Sequence, residues 1–144
     1  MPQEETGTAS CPECGALYPG GMNCRQMLAT VLGWEGMDPE LAALHYQIVA
    51  SFNLQHPGQL TDEAHTALRD SFVGYLAGEL TPAEIRRQMA AAFEGRKRVL
   101  RQPGEWNPVL RQWPMTIADV FVKGRGVGAV DRVGHWAEVV RQGA

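Results

Sequence analysis

A chain of 144 residues with 44% hydrophobic and 20% charged side chains has the size of one ordinary globular domain and can build a core without disulfide staples. Thirteen Lys and Arg against sixteen Asp and Glu leave a net charge of −3, which argues against a dedicated nucleic-acid binder. No apolar run of about 18 residues occurs, which excludes a membrane-spanning helix, and the opening MPQEETGTAS has neither the basic start nor the apolar stretch of a secretory signal.

Residues 1–10 are polar and aperiodic and read as a flexible tail. The next stretch, CPECGALYPGGMNC over 11–24, is too rich in Gly, Pro and Cys for a regular helix. It is expected to be a compact cysteine loop packed on a single helical domain spanning 11–144. From Cys24 to Trp34, the residues Met27, Leu28, Val31, Leu32 and Trp34 recur at spacings of three and four behind Asn23 as N-cap. Asp38-Pro39-Glu40 supplies a cap, a proline at the first helical position and an acid in the first turn. This second helix is expected to run unbroken to about Gln55, where His56-Pro57-Gly58 stops it.

Thr61 caps a third helix carrying Ala64, Leu68, Phe72, Tyr75 and Leu76, and Thr81-Pro82-Ala83-Glu84 is a capping box for a fourth that runs to about Glu94. Arg96 to Asn107 reads as a surface connection. Thr116 to Asp119 opens a short helix near Ile117, and Lys123 to Gly128 is a glycine-rich loop. A last helix over Val130 to Gln142 places Val133, Trp136, Ala137 and Val140 on one stripe. With no convincing strand alternation, the expected architecture is all-α: a four- to six-helix bundle with an N-terminal zinc-knuckle-like loop.

Charge divides unevenly. Residues 1–80 hold ten acids and two bases, or −8, and residues 81–144 hold six acids and eleven bases, or +5. The ordinary reading is solvated helix faces and loops, with attraction between the halves as the alternative.

Chemistry concentrates in the three cysteines, all within the first 24 residues. An odd count without a secretory signal fits a reducing, cytoplasmic setting, where clustered cysteines bind metal more often than they pair. Cys11-Pro12-Glu13-Cys14-Gly15 is a C-P-x-C-G turn, which brings two sulfurs to about 2.3 Å from one Zn²⁺. Pro12 stiffens the turn and Gly15 can take positive φ, so that backbone N–H groups face the sulfurs. Cys24 follows at a helix start, where the dipole favours a thiolate. Tetrahedral zinc then lacks one ligand, and a histidine is the natural fourth. The alternative is a redox pair or three unbound thiols, but no βαβ context supports a thioredoxin-like motif.

His45 and His56 would lie about 16 Å apart along a continuous helix, so both cannot serve one zinc. In an antiparallel hairpin Cys24 lies level with Val49 to Asn53. His56 sits just beyond that level, towards the knuckle, and is favoured, with His45 as the alternative fourth ligand. His65 and His135 read as exposed helix residues. Gly124, Gly126 and Gly128 match neither the dinucleotide nor the Walker spacing, and Ser51 and Ser71 lack a nucleophile elbow. Arg86, Arg87, Arg96, Lys97, Arg98 and Arg101, with Trp106 and Trp113 nearby, form the one stretch suited to nucleic acid.

Cys11-Pro-Glu-Cys-Gly-Ala16, Cys24, Leu44-His45 and Leu54-Gln55-His56-Pro57-Gly58, together with Trp113-Pro-Met-Thr-Ile-Ala-Asp-Val120 and Val133-Gly-His-Trp-Ala137, resemble the bacterial family known as domain of unknown function 5946. The resemblance covers most of the chain. It implies no assigned activity and points to Cys11, Cys14, Cys24, His45 and His56 as the positions of interest. The spacing from Cys14 to Cys24 is short for that family, and its histidine-bearing tail is missing after Arg141.

The leading expectation is a small zinc protein in which Cys11, Cys14, Cys24 and His56 hold a structural metal and the bundle binds a protein or small-molecule partner. Two alternatives stand beside it. One is a metal-dependent enzyme resembling DinB-like helical bundles, with His45, His56 and His135 converging. The other is a nucleic-acid accessory protein using the basic 86–101 segment.

Overall fold

The computed structural model describes residues 9–93, 98–122 and 126–144. The expected tail over 1–8, the fourth helix's end at Glu94, Arg96 and Lys97 of the basic stretch, and Lys123 to Arg125 of the glycine-rich loop lie outside the described residues.

The described residues form seven α-helices and no strand, which is the all-α class. They are α1 Cys24–Trp34, α2 Pro39–Ala42, α3 His45–Gln55, α4 Asp62–Leu76, α5 Pro82–Ala92, α6 Ile117–Phe121 and α7 Ala129–Gly143. Polar caps set most starts. Asn23 and Gln26 form a reciprocal capping box on α1, as do Thr81 and Glu84 on α5 and Thr116 and Asp119 on α6, while the Thr61 hydroxyl accepts from Ala64 N–H on α4.

The expected continuous helix over 39–55 is corrected by a break. Asp38 caps α2 through its carboxylate, which accepts from the N–H groups of Glu40 and Leu41. Leu44 then leaves helical geometry (φ −98°, ψ 13°) and α3 restarts at His45. No Gly or Pro lies at the break, and it brings the helix count to seven.

The core is one cluster of buried side chains. α1 lies on α6, α3 on α7, and α6 against α7. Met27 and Val31 of α1, Ile48 of α3, Ile117 and Val120 of α6, and Val133, Trp136 and Val140 of α7 are fully enclosed. α4 packs on α3, and α5 attaches to α4 with Ile85 as its one buried residue. A polar link runs through this core. Gln55, 1% exposed, donates through Nε2 to the Met115 carbonyl at 2.7 Å and accepts from the Trp136 indole N–H at 3.1 Å. It ties the last residue of α3 to α7 and to the bend that leads into α6.

Residues 98–113 carry only one 3₁₀ turn, yet backbone bonds seam them to the first half of the chain. Thr61 N–H donates to Val99 O, Arg101 N–H to Gln59 O and Asn107 N–H to Gly58 O, while Arg111 N–H and Trp113 N–H donate to Glu13 O and Cys14 O. Between the acidic and basic halves the described residues hold one ion pair, Asp62–Arg101 at 2.7 Å, with Asp62 almost fully exposed. Solvated charge faces therefore account for most of the asymmetry.

Candidate metal centre

The cysteine loop folds as a miniature hairpin. Ser10 and Leu17 form an antiparallel bridge, Cys11 N–H donates to Ala16 O at 2.8 Å, and Tyr18 N–H donates to Ala9 O at 2.9 Å. The tail expected over 1–10 is thus paired at residues 9 and 10. Gly15 takes φ +79°, which a side chain would resist. The turn directs Glu13 N–H and Cys14 N–H at Cys11 Sγ, each at 3.4 Å. Such N–H groups favour a thiolate over a thiol.

Cys24, the first residue of α1, brings its sulfur to 3.6 Å from Cys14 Sγ. His56 arrives from the end of α3. Its Nδ1–H donates to the Phe52 carbonyl at 2.7 Å, and its ring stacks on Phe52 with centroids 4.1 Å apart. Nε2 is left buried with no hydrogen-bond partner of acceptable geometry. The Sγ atoms of Cys11, Cys14 and Cys24 and a ring nitrogen of His56 all lie within 4.8 Å of one another. Donors about 2.0–2.3 Å from a tetrahedral zinc stand roughly 3.3–3.8 Å apart, so a closure of at most about 1.5 Å would bring all four onto one ion. A backbone carbonyl on the far imidazole nitrogen is the usual way a ligating histidine is oriented.

Electrostatics point the same way. Hydrogen bonds from Cys14 and Cys24 hold the Cys11 thiol far below its ordinary pKa, while hydrogen bonds with Cys11 and Cys14, together with burial, push Cys24 far up. Three adjacent sulfurs do not ionise together unaided. Burial works against a charged His56, yet the sulfurs of Cys11 and Cys14 beside it push its pKa up to about 10. A bound metal cation would let the sulfurs be thiolates with a neutral imidazole between them.

The other candidates disperse. His45 is exposed and pairs through Nδ1 with both carboxylate oxygens of Glu35, at 3.0 and 2.9 Å, away from the sulfurs. His135 is exposed and lines a shallow surface cavity with Pro114, Met115, Asp119 and Val139. Among the described residues no metal-sized group contains His45, His65 or His135. The convergence of His45, His56 and His135 is therefore corrected: the break at Leu44 turns His45 onto Glu35, and α7 presents His135 to solvent. In the basic stretch, Arg86 and Arg87 are exposed, Arg101 is spent on Leu60 O and Asp62, and Trp113 is buried beneath the Arg111 guanidinium.

Residues around the cluster that sequence reasoning passed over are Glu13 and Phe52. The Glu13 carboxylate accepts from Gly58 N–H at 2.7 Å, clasping the knuckle to the turn after His56. A Cβ on Gly58 would meet Glu13 Oε2 at 2.8 Å and Pro108 at 2.9 Å. For Phe52 the available signal is its spacing four residues before His56, which places both on one helix face.

The model of a family described as "Family of unknown function (DUF5946)" matches residues 9–143. No curated protein and no solved structure matches the chain.

Proposed function

The chain belongs to this family of unknown function, and we propose that it is a zinc-stapled helical binding protein in which Cys11, Cys14, Cys24 and His56 hold one structural Zn²⁺. The carrying observation is the buried, unpartnered His56 Nε2, whose other nitrogen is already fixed by Phe52, facing three sulfurs within 4.8 Å. Zinc is the ion that this borderline-soft donor set takes in a tetrahedral site. Four protein donors complete the shell and leave no position for water or substrate, so the metal's role is structural rather than catalytic. Thiolate ligands of this kind belong in a reducing compartment, which supports a cytoplasmic setting. No helix among the described residues is long and apolar enough to cross a membrane.

The partner we infer is a protein. The knuckle and the turn after His56 hold residues 98–113 by backbone bonds, and that segment exposes Val99, Leu100, Trp106, Val109 and Leu110. An apolar surface of this kind suits protein contact more than a charged ligand. Elemental analysis and zinc-edge absorption on the purified chain test the metal. The expected result is one zinc per chain with three sulfur and one nitrogen neighbours. A folded, metal-free protein with three freely reactive thiols would overturn the proposal.

A further inference from the structure

The cluster sits at the floor of a cleft of about 220 Å³ that is lined by Cys11, Tyr18, Cys24, Phe52, Asn53 and His56 among others, while Cys14 lies outside the lining and is 0% exposed. A water molecule's share of liquid volume is about 30 Å³, so the cleft has room for a small uncharged molecule beside Cys11 and Cys24, while Cys14 does not line it. Of these two, Cys11 Sγ is engaged by two backbone N–H groups. Cys24 Sγ lies 3.6 Å from the hidden Cys14 Sγ. A cysteine that lines a cleft, though only 4% exposed, next to one that does not reach it is the arrangement of an attacking and a resolving cysteine.

We propose that Cys24 and Cys14 form a peroxide-sensitive release for the metal, with hydrogen peroxide as the oxidant that the cleft admits. The inference rests on the zinc reading above and adds its regulation. Coordination keeps Cys24 a thiolate at neutral pH, and the thiolate is the nucleophile. Cys24 Sγ attacks one peroxide oxygen; an S–O bond forms, the O–O bond breaks and hydroxide leaves, giving a sulfenic acid. Cys14 Sγ then attacks Cys24 Sγ; an S–S bond forms, the S–O bond breaks and a second hydroxide leaves. The two sulfurs together give up two electrons, and the peroxide takes both. The cation loses two of its three anionic donors and departs, which frees the knuckle from His56.

The test uses the zinc-loaded full chain under graded hydrogen peroxide, with a colorimetric chelator reading released zinc and alkylation marking the remaining thiols. Cleavage after glutamate separates Cys11, in peptide 6–13, from Cys14 and Cys24, both in peptide 14–35. The expected result is one zinc released per chain, an alkylated 6–13, and a 14–35 peptide lighter by two hydrogens, all reversed by dithiothreitol and added zinc. A bridge joining the two peptides, Cys24 carried to sulfinic acid without a bridge, or retained zinc with all three thiols reduced under excess peroxide would each overturn the inference. Protein that carries no zinc before peroxide is added would instead sink the metal reading. In that case the metal-free chain still reports whether the Cys14–Cys24 bridge forms.

Discussion

Replacing Gln55 by leucine keeps the side-chain volume but removes both bonds that join α3 to its neighbours. The Trp136 N–H and the Met115 carbonyl are then stranded in the core, at about 1–3 kcal/mol for each unsatisfied group. Allowing for the more apolar side chain, Gln55→Leu should destabilise by about 2–4 kcal/mol. Unfolding entropy of about 2.1 cal/mol/K per residue gives a 144-residue chain about 0.3 kcal/mol/K, so Tm should fall by roughly 6–14 °C. Calorimetry must be run at fixed free zinc, since bound metal shifts Tm by itself. The sharper assay is a double-mutant cycle with Trp136→Phe, which deletes the indole donor. With Trp136 already unable to donate, Gln55→Leu strands only the Met115 carbonyl, and the coupling should be about 1 kcal/mol or more. Additive single effects, or a Gln55→Leu change within about 0.5 kcal/mol of zero, would refute the reasoning.

His56→Ala should lose stoichiometric zinc in elemental analysis, whereas His45→Ala should keep it and cost no more than an exposed pair, about 0–1 kcal/mol by chemical denaturation. Gly58→Ala drives a Cβ into Glu13 Oε2 and the Pro108 backbone and should lower stability by about 1–3 kcal/mol, measured as a shifted urea midpoint. Gly134→Ala is its counterpart: it lies inside α7 with open space around it and should stabilise by about 0.5–1 kcal/mol. Zinc affinity in competition with a chelator should fall as pH drops, because three thiolates and a neutral imidazole must give up the metal to take protons. An affinity that rises on acidification would contradict thiolate ligation.

Local chemistry made much of this fold readable. Asn23, Thr61, Thr81 and Thr116 announce helices because their side chains satisfy N–H groups a few residues away, and helices begin directly after all four. The break at Leu44 escapes such reading because no Gly, Pro or capping residue marks it. The seam from 98 to 113 was equally invisible. Its bonds to Gln59, Gly58, Glu13 and Cys14 use backbone groups, which every residue type but proline offers alike. The C-P-x-C-G turn and Cys24 stood out by composition. His56 was singled out over His45 by helix level alone, while the Phe52 carbonyl that orients it depends on α3 ending one residue earlier. Gln55 lies in the Leu54-to-Gly58 stretch that carries the family resemblance, but that stretch draws attention to His56, and nothing local marks Gln55 as a buried link.

All four candidate donors lie between residues 11 and 56, whereas α7, which α3 packs against, begins at Ala129. A chain made from its N-terminus therefore holds a complete donor set long before the helix that buries α3 exists. Domains tend to order in the direction of synthesis, and an ion joining the knuckle to the end of α3 would restrict the nascent half as a cross-link does, lowering the entropy of chain still awaiting its partner. Refolding of the whole protein should accordingly be faster when zinc is present from the first millisecond than when it is added after collapse.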